Sequence, residues 1–227
     1  MSYTFLLGIA LVSAALNWTA VEKHWKWLEY IAKPGTMLCL ILWLVFNGGL
    51  GGKIIWFTLG ATFSLIGDVC LMVPRNLFLY GLFAFLVGHM CYIVGFNLLP
   101  ANLSGAGLVY LLLIIVIFSL VVTEIYRRLA GGLIAIKRSL LRISVLVYSL
   151  VITLMLISAL LCFVRPGWDL SPALWAVTGA SLFYVSDTIL AMDRFLTRFP
   201  HARLLTMTTY HLGQVGITIG AALTFLR

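Results

Sequence analysis

The sequence predicts an all-α membrane protein: an eight-helix transmembrane bundle with almost no soluble part. Three observations lead there. Of 227 residues, 63% are apolar and only 10% are charged, whereas a soluble domain of this size carries about a quarter charged residues. The apolar runs are continuous, as from Leu108 to Val122. They suit helices that cross a bilayer and lack the alternation of a membrane β-barrel strand. The basic residues sit in the gaps between runs, and mostly in alternate gaps.

In chain order, helices are expected at 3–19, 34–48, 53–73, 77–99, 107–123, 142–164, 172–192 and 204–226. The first follows Met1-Ser2-Tyr3, which has no positive leader, so it reads as a retained helix and not a cleaved signal. The second is short, with Pro34 in its first turn, where proline is tolerated. The third carries Ser64 and Asp68 one turn apart on one face. The fourth carries His89 and Tyr92 at i and i+3. The fifth is the continuous run cited above, and the sixth has Tyr148 two turns in. The seventh carries Asp187. The eighth has Tyr210 and Gln214 on one face, with His211 about 100° away. Short connections imply antiparallel neighbours and one membrane domain, 1–227.

The segment Gly60–Asp68 (GATFSLIGD) resembles Gly179–Asp187 (GASLFYVSD), at an offset of 187 − 68 = 119 residues. This suggests a parallel four-plus-four repeat, with pseudo-repeats 1–106 and 107–227.

Loop charge sets the orientation. The gaps after the first, third, fifth and seventh helices, with their edges, hold Lys23, Lys26, Lys33, Arg75, Arg127, Arg128, Lys137, Arg138, Arg142, Arg194, Arg198 and Arg203. The other side holds Lys53, Arg165 and Arg227. The split is 12 to 3. It puts the basic loops in the cytoplasm and both termini outside, in a bacterial inner membrane. The net charge of +8 is therefore topological and implies no nucleic-acid partner. Cys39, Cys70, Cys91 and Cys162 all lie in apolar runs without a CxxC pair and read as packing residues. The tryptophans cluster near helix ends, as an aromatic belt does. There is no P-loop, GxSxG elbow, HExxH or GxGxxG, which argues against a serine-triad lipase and a Rossmann cofactor enzyme.

Of the seven acids, five fall in loops or at helix ends. Asp68 and Asp187 do not. Each sits about five residues inside its helix, or ~8 Å deep, where a charge is costly unless it meets a partner or a polar cavity. Lys33, Ser64, His89, Tyr92, Tyr148, Tyr210 and Gln214 reach the same zone. His211 reads mainly as a core histidine, while His24 and His201 lie in loops.

Lys33-Pro34-Gly35-Thr36, then Ser64-Leu65-Ile66-Gly67-Asp68-Val69-Cys70-Leu71-Met72, then Gly81 to Phe85 with His89 and Tyr92, resemble the YhhN family. Ser186-Asp187, Tyr210 and Gln214 continue the match, which covers nearly the whole chain. Gly35 stands where the family usually has leucine. This is the bacterial branch of the family that includes the animal membrane lysoplasmalogenases. The resemblance implies hydrolysis of the vinyl ether bond of a lysophospholipid, a lysoplasmalogen, to a fatty aldehyde and a glycerophospho-ethanolamine or -choline.

The residues suit that chemistry. A vinyl ether hydrolyses by protonation at carbon, and water then traps the oxocarbenium ion. This needs one acid that keeps its proton and one anion near the cation, a division of labour that two nearby carboxyls provide. Asp68 is read as the acid and Asp187 as the anion, with His89 and Tyr210 assisting. Lys33, Arg75 and Arg142 are expected at the substrate phosphate, with Ser64, Tyr92, Tyr148 and Gln214 around the substrate. No cofactor is expected. A zinc ion on Asp68, His89, Asp187 and His211 is the metal-dependent variant. The rival from another class is a proton- or cation-coupled transporter with Asp68 and Asp187 as carriers.

Overall fold

The computed structural model describes residues 3–73, 77–135 and 139–226, with the side chains at 125, 126 and 128–142 outside the description. Within that range the chain forms eight α-helices and no strand. They are α1 (Phe5–Glu22), α2 (Lys26–Phe46), α3 (Ile55–Met72), α4 (Phe78–Phe96), α5 (Ala106–Ala135), α6 (Ser139–Leu160), α7 (Leu170–Phe195) and α8 (Ala202–Phe225). Short 3-10 turns lead into α3 and extend α6. Seven of the eight helices are long and apolar enough to cross a membrane. The exception, α8, carries five threonines, His211 and Gln214. It packs on α7, α1, α2 and α3, so its polar groups face protein and need no lipid-compatible surface.

Three helices differ from the sequence expectation. α2 starts at Lys26, eight residues before Pro34. Lys, Leu, Glu and Ala are good helix formers, so the helix forms upstream of the proline and runs through it. Pro34 removes the bond that Tyr30 O would accept, and packing of α2 on α1 and α3 carries the helix past it. Ser13 Oγ and Thr36 Oγ1 both donate to Ala32 O, each at 2.9 Å, which ties this stretch of α2 to α1. Lys33 is consequently a buried residue in the middle of a helix and not a residue at the interface. α5 continues to Ala135, well past its apolar part, with an i,i+3 ion pair between Glu124 and Arg127. Arg127 and Arg128 thus ride on a helix and not in a loop. α7 runs to Phe195, which puts Asp187 eight residues from its end, or ~12 Å.

Close backbone approach holds the bundle, as expected where lipid supplies no hydrophobic drive between helices. A Cβ on Gly179 of α7 would lie 2.4 Å from Ile217 N of α8, and one on Gly216 would lie 2.7 Å from Gly179 Cα. α3 and α4 interlock differently. Gly60 receives the Tyr92 ring and Gly67 the Phe85 ring. α5 is the peripheral helix, with only 11% of its apolar stretch buried.

The two halves of the bundle differ. The end away from the basic loops is filled by rings packed edge to face or tilted: Phe57–Phe96 at 5.1 Å, Phe96–Trp168 at 5.9 Å and Trp168–Phe225 at 5.6 Å between centroids. Trp43 and Trp168 are buried in this core, so they are packing residues and not members of an interfacial belt. At this end Arg165 donates to Leu99 O and Asn97 Oδ1, tying two loops together. Burial pushes its pKa below the ordinary arginine value. The basic end is open and carries the polar groups.

Candidate active site

α3 and α7 bring Asp68 and Asp187 to the wall of one cavity. Asp68 lies four residues before the end of α3, ~6 Å along the axis. It is 1% exposed and both its oxygens are engaged. Lys33 Nζ of α2 sits 3.0 Å from Oδ1, and Tyr210 Oη of α8 donates to Oδ2 at 2.7 Å. A buried carboxylate persists only with such partners. The continuation of α2 through Pro34 supplies one of them.

Asp187 is engaged on one oxygen. Tyr148 Oη of α6 donates to Oδ2 in a short bond. His89 Nε2 of α4 lies 3.4 Å from the same oxygen and 2.9 Å from Tyr148 Oη. The Asp187 side chain keeps 12% exposure and faces the cavity, while the His89 side chain is fully buried behind it. Phe183 stands between the two acid groups, 4.7 Å from the His89 ring and 5.3 Å from that of Tyr210.

The cavity encloses about 90 Å³ and is walled chiefly by apolar side chains of α3 to α7, including Phe85, Val122, Val145 and Ile152. It opens into a wider mouth of about 770 Å³ at the basic end. The two share Lys33, Leu71, Phe78, Leu190, Arg194, Phe195, Thr206 and Met207. A polar spot inside an apolar tunnel with a charged mouth matches a molecule with one apolar chain and one polar head.

Not every residue singled out from the sequence reaches this wall. Lys33, Asp68, Tyr148, Asp187 and Tyr210 do. Ser64, Tyr92 and Gln214 sit outside it. Tyr92 Oη donates to Gln214 Oε1 at 2.6 Å, Ser64 gives its hydroxyl to Gly60 O at 2.9 Å, and all three are buried between helices. His211 turns to α1, where its Nδ1 accepts from Trp18 Nε1 at 3.2 Å. Among the described residues, no three His, Cys, Asp or Glu groups come together as metal ligands. Arg75 and the side chain of Arg142 lie outside the described residues. The mouth instead presents Lys26, Arg194, Arg198 and Arg203, with Glu29 and Asp193. Of these, Arg194 had a signal in the sequence: it falls seven residues after Asp187, two turns along the same face.

Fold and site define a multi-pass helical membrane protein with an acid-lined cavity confined to one half of its bundle. The chain belongs to the YhhN family, whose profile matches residues 28–221. It is 33% identical to mouse lysoplasmalogenase TMEM86B over 96% of this chain and 84% of that protein. It is 32% identical to the rat lysoplasmalogenase TMEM86B over 88% and 76%. The uncharacterized membrane protein YhhN of Escherichia coli O157:H7 is 26% identical over 87% and 90%. No solved structure matches the chain.

Proposed function

We propose that this protein hydrolyses the vinyl ether bond of lysoplasmalogens, releasing a fatty aldehyde and a glycerophospho-ethanolamine or -choline. The observation that carries the reading is the convergence of Asp68 and Asp187 on one apolar cavity. The lysoplasmalogenase relatives over most of the chain supply the reaction.

In this reading the roles reverse the order expected from sequence. Asp68 is ion-paired and doubly bonded, which makes it the poorer proton donor and the better partner for a cation. Asp187, free on one oxygen toward the cavity, is the acid. Its proton passes to the alkenyl carbon distal to the ether oxygen, and positive charge develops on the carbon attached to that oxygen. Asp68 faces this oxocarbenium ion and takes a proton from the attacking water. The resulting hemiacetal breaks its carbon–oxygen bond to the glycerol. The glycerol oxygen takes up a proton, the hemiacetal hydroxyl loses one, and the aldehyde is left. The proton that Asp68 takes passes back to Asp187 through water in the shared cavity, which restores both groups. His89 and Tyr148 position Asp187, and Tyr210 and Lys33 position Asp68. No cofactor is needed for proton transfer and water addition. The apolar wall holds the chain in the leaflet, and each acid ends one of the two similar segments, Gly60–Asp68 and Gly179–Asp187. The basic end faces the cytoplasm and both termini lie outside, following the loop charge.

The test is aldehyde release by the purified protein in detergent. A 1-alkenyl lysophospholipid is the substrate and its saturated 1-alkyl analogue the control. Turnover of the alkenyl lipid, lost in Asp187→Asn, supports the reading. Absence of turnover combined with uptake of a small solute into liposomes favours a carrier.

A further inference from the structure

The mouth of the cavity carries more positive charge than its own acids neutralise. Five cations line it: Lys26, Lys33, Arg194, Arg198 and Arg203. Lys33 is taken by Asp68 at 3.0 Å and Arg203 by Glu29 at 2.7 Å. Among the described residues, no carboxylate pairs with Lys26, Arg194 or Arg198, and Asp193 is the one other acid in the mouth. Two positive charges are left over. Positive-inside topology explains cations on this face, but it does not require them to line a tunnel that ends on two acids.

Arg194 is held in place. Its guanidinium stacks 3.7 Å from the centroid of the Phe78 ring, and both residues belong to the inner cavity and the mouth alike. Stacking leaves the edge of the guanidinium fork free for an oxyanion. Arg194 also stands seven residues beyond Asp187 on α7, so the two share a face about 10 Å apart along the axis. In a glycerophospholipid with a single ether chain at the first glycerol carbon, six bonds separate phosphorus from the first chain carbon, roughly 7 Å when extended. An arginine that grips the phosphate from the mouth would then hold that carbon near the level of Asp187.

We propose that Arg194 and Arg198, with Lys26 across the mouth, bind the phosphodiester of a lipid headgroup and set the register of the chain against the acids. This deepens the function proposed above and rests on it for the identity of the reacting bond. Binding of the phosphodiester itself stands on the mouth alone.

The experiment measures binding by thermal shift of the purified protein in detergent, so it is readable without turnover. The probes are a 1-alkyl lysophosphatidylethanolamine, which has no cleavable vinyl ether, the matching 1-alkylglycerol, and glycerophosphoethanolamine without a chain. Wild type should prefer the phospholipid to the alkylglycerol. Each arginine removed should cut that preference roughly tenfold, as charge-assisted hydrogen bonds of this kind do. Arg198 is exposed and beyond the end of α7, so Arg198→Ala tests the idea with little risk to folding. Arg194→Lys keeps charge and loses the fork, and should fall between wild type and Arg194→Ala. Equal binding of the two lipids by wild type, or an undiminished preference in Arg198→Ala and Arg194→Ala, would overturn the proposal. So would equal stabilisation by glycerophosphoethanolamine, which would make this a site for soluble phosphodiesters. Aldehyde release from the alkenyl lipid is followed in parallel. Its absence in wild type sinks the hydrolase reading and leaves the binding result intact.

Discussion

Replacing Lys33 by Met should be among the costliest single changes in the bundle. At 3.0 Å, two unit charges attract by about 5–6 kcal/mol at an effective dielectric near 20. Removing the ammonium leaves Asp68, at 1% exposure, with only the Tyr210 hydroxyl. Breaking a buried pair in this way costs about 3–5 kcal/mol. The reverse change, Asp68→Asn, should cost less, because Lys33 also lines the mouth and its long chain can carry the ammonium there; Asp68 has no such reach. The double variant Lys33→Met/Asp68→Asn removes both charges and should be milder than the sum by roughly 1–3 kcal/mol, the range for groups in contact. Equilibrium unfolding in mixed micelles, titrated with a denaturing detergent, measures all three. Additivity within about 0.5 kcal/mol, or a Lys33→Met variant as stable as wild type, would falsify the pair and with it the assignment of Asp68 as the anion.

Tyr148→Phe removes one of the two groups on the inner oxygen of Asp187 and should lower aldehyde release about 10–100-fold, at or below the bottom of the range for a proton-transferring group, because Tyr148 positions the acid, with the unfolding midpoint little moved. Gly179→Ala should destabilise by at least about 1–3 kcal/mol, because the new Cβ meets backbone at 2.4 Å and neither helix can yield without parting; detergent unfolding reads it. Arg165→Ala strips charged donors from Leu99 O and Asn97 Oδ1 and should cost about 1–3 kcal/mol without altering substrate preference, since that residue lies at the end remote from the cavity. Cysteines placed at position 198 and in the 166–169 turn should label from opposite sides of sealed vesicles, a direct check of the topology.

What the sequence by itself determined was whatever depends on composition and local period. Long apolar runs must become helices in a bilayer, because each backbone polar group needs an internal partner, and so the eight elements were legible. The cost of burying a charge singled out Asp68 and Asp187, since few environments tolerate them. What only the tertiary structure decided was which groups meet. Pro34 reads locally as a helix start, yet α2 begins at Lys26 and runs through it, packed on α1 and α3, which brings Lys33 onto Asp68. His89 and Tyr148 lie 59 residues apart, so no spacing rule joins them, and only the packing of α4, α6 and α7 places both on Asp187. Tyr92 and Gln214 had as good a sequence claim as Tyr210, but they point at each other. Side-chain direction follows from how helices rotate against their neighbours, here set by glycines that let α7 touch α8 and α3 receive the rings of α4. That rotation is a property of the assembled bundle, and no single helix encodes it.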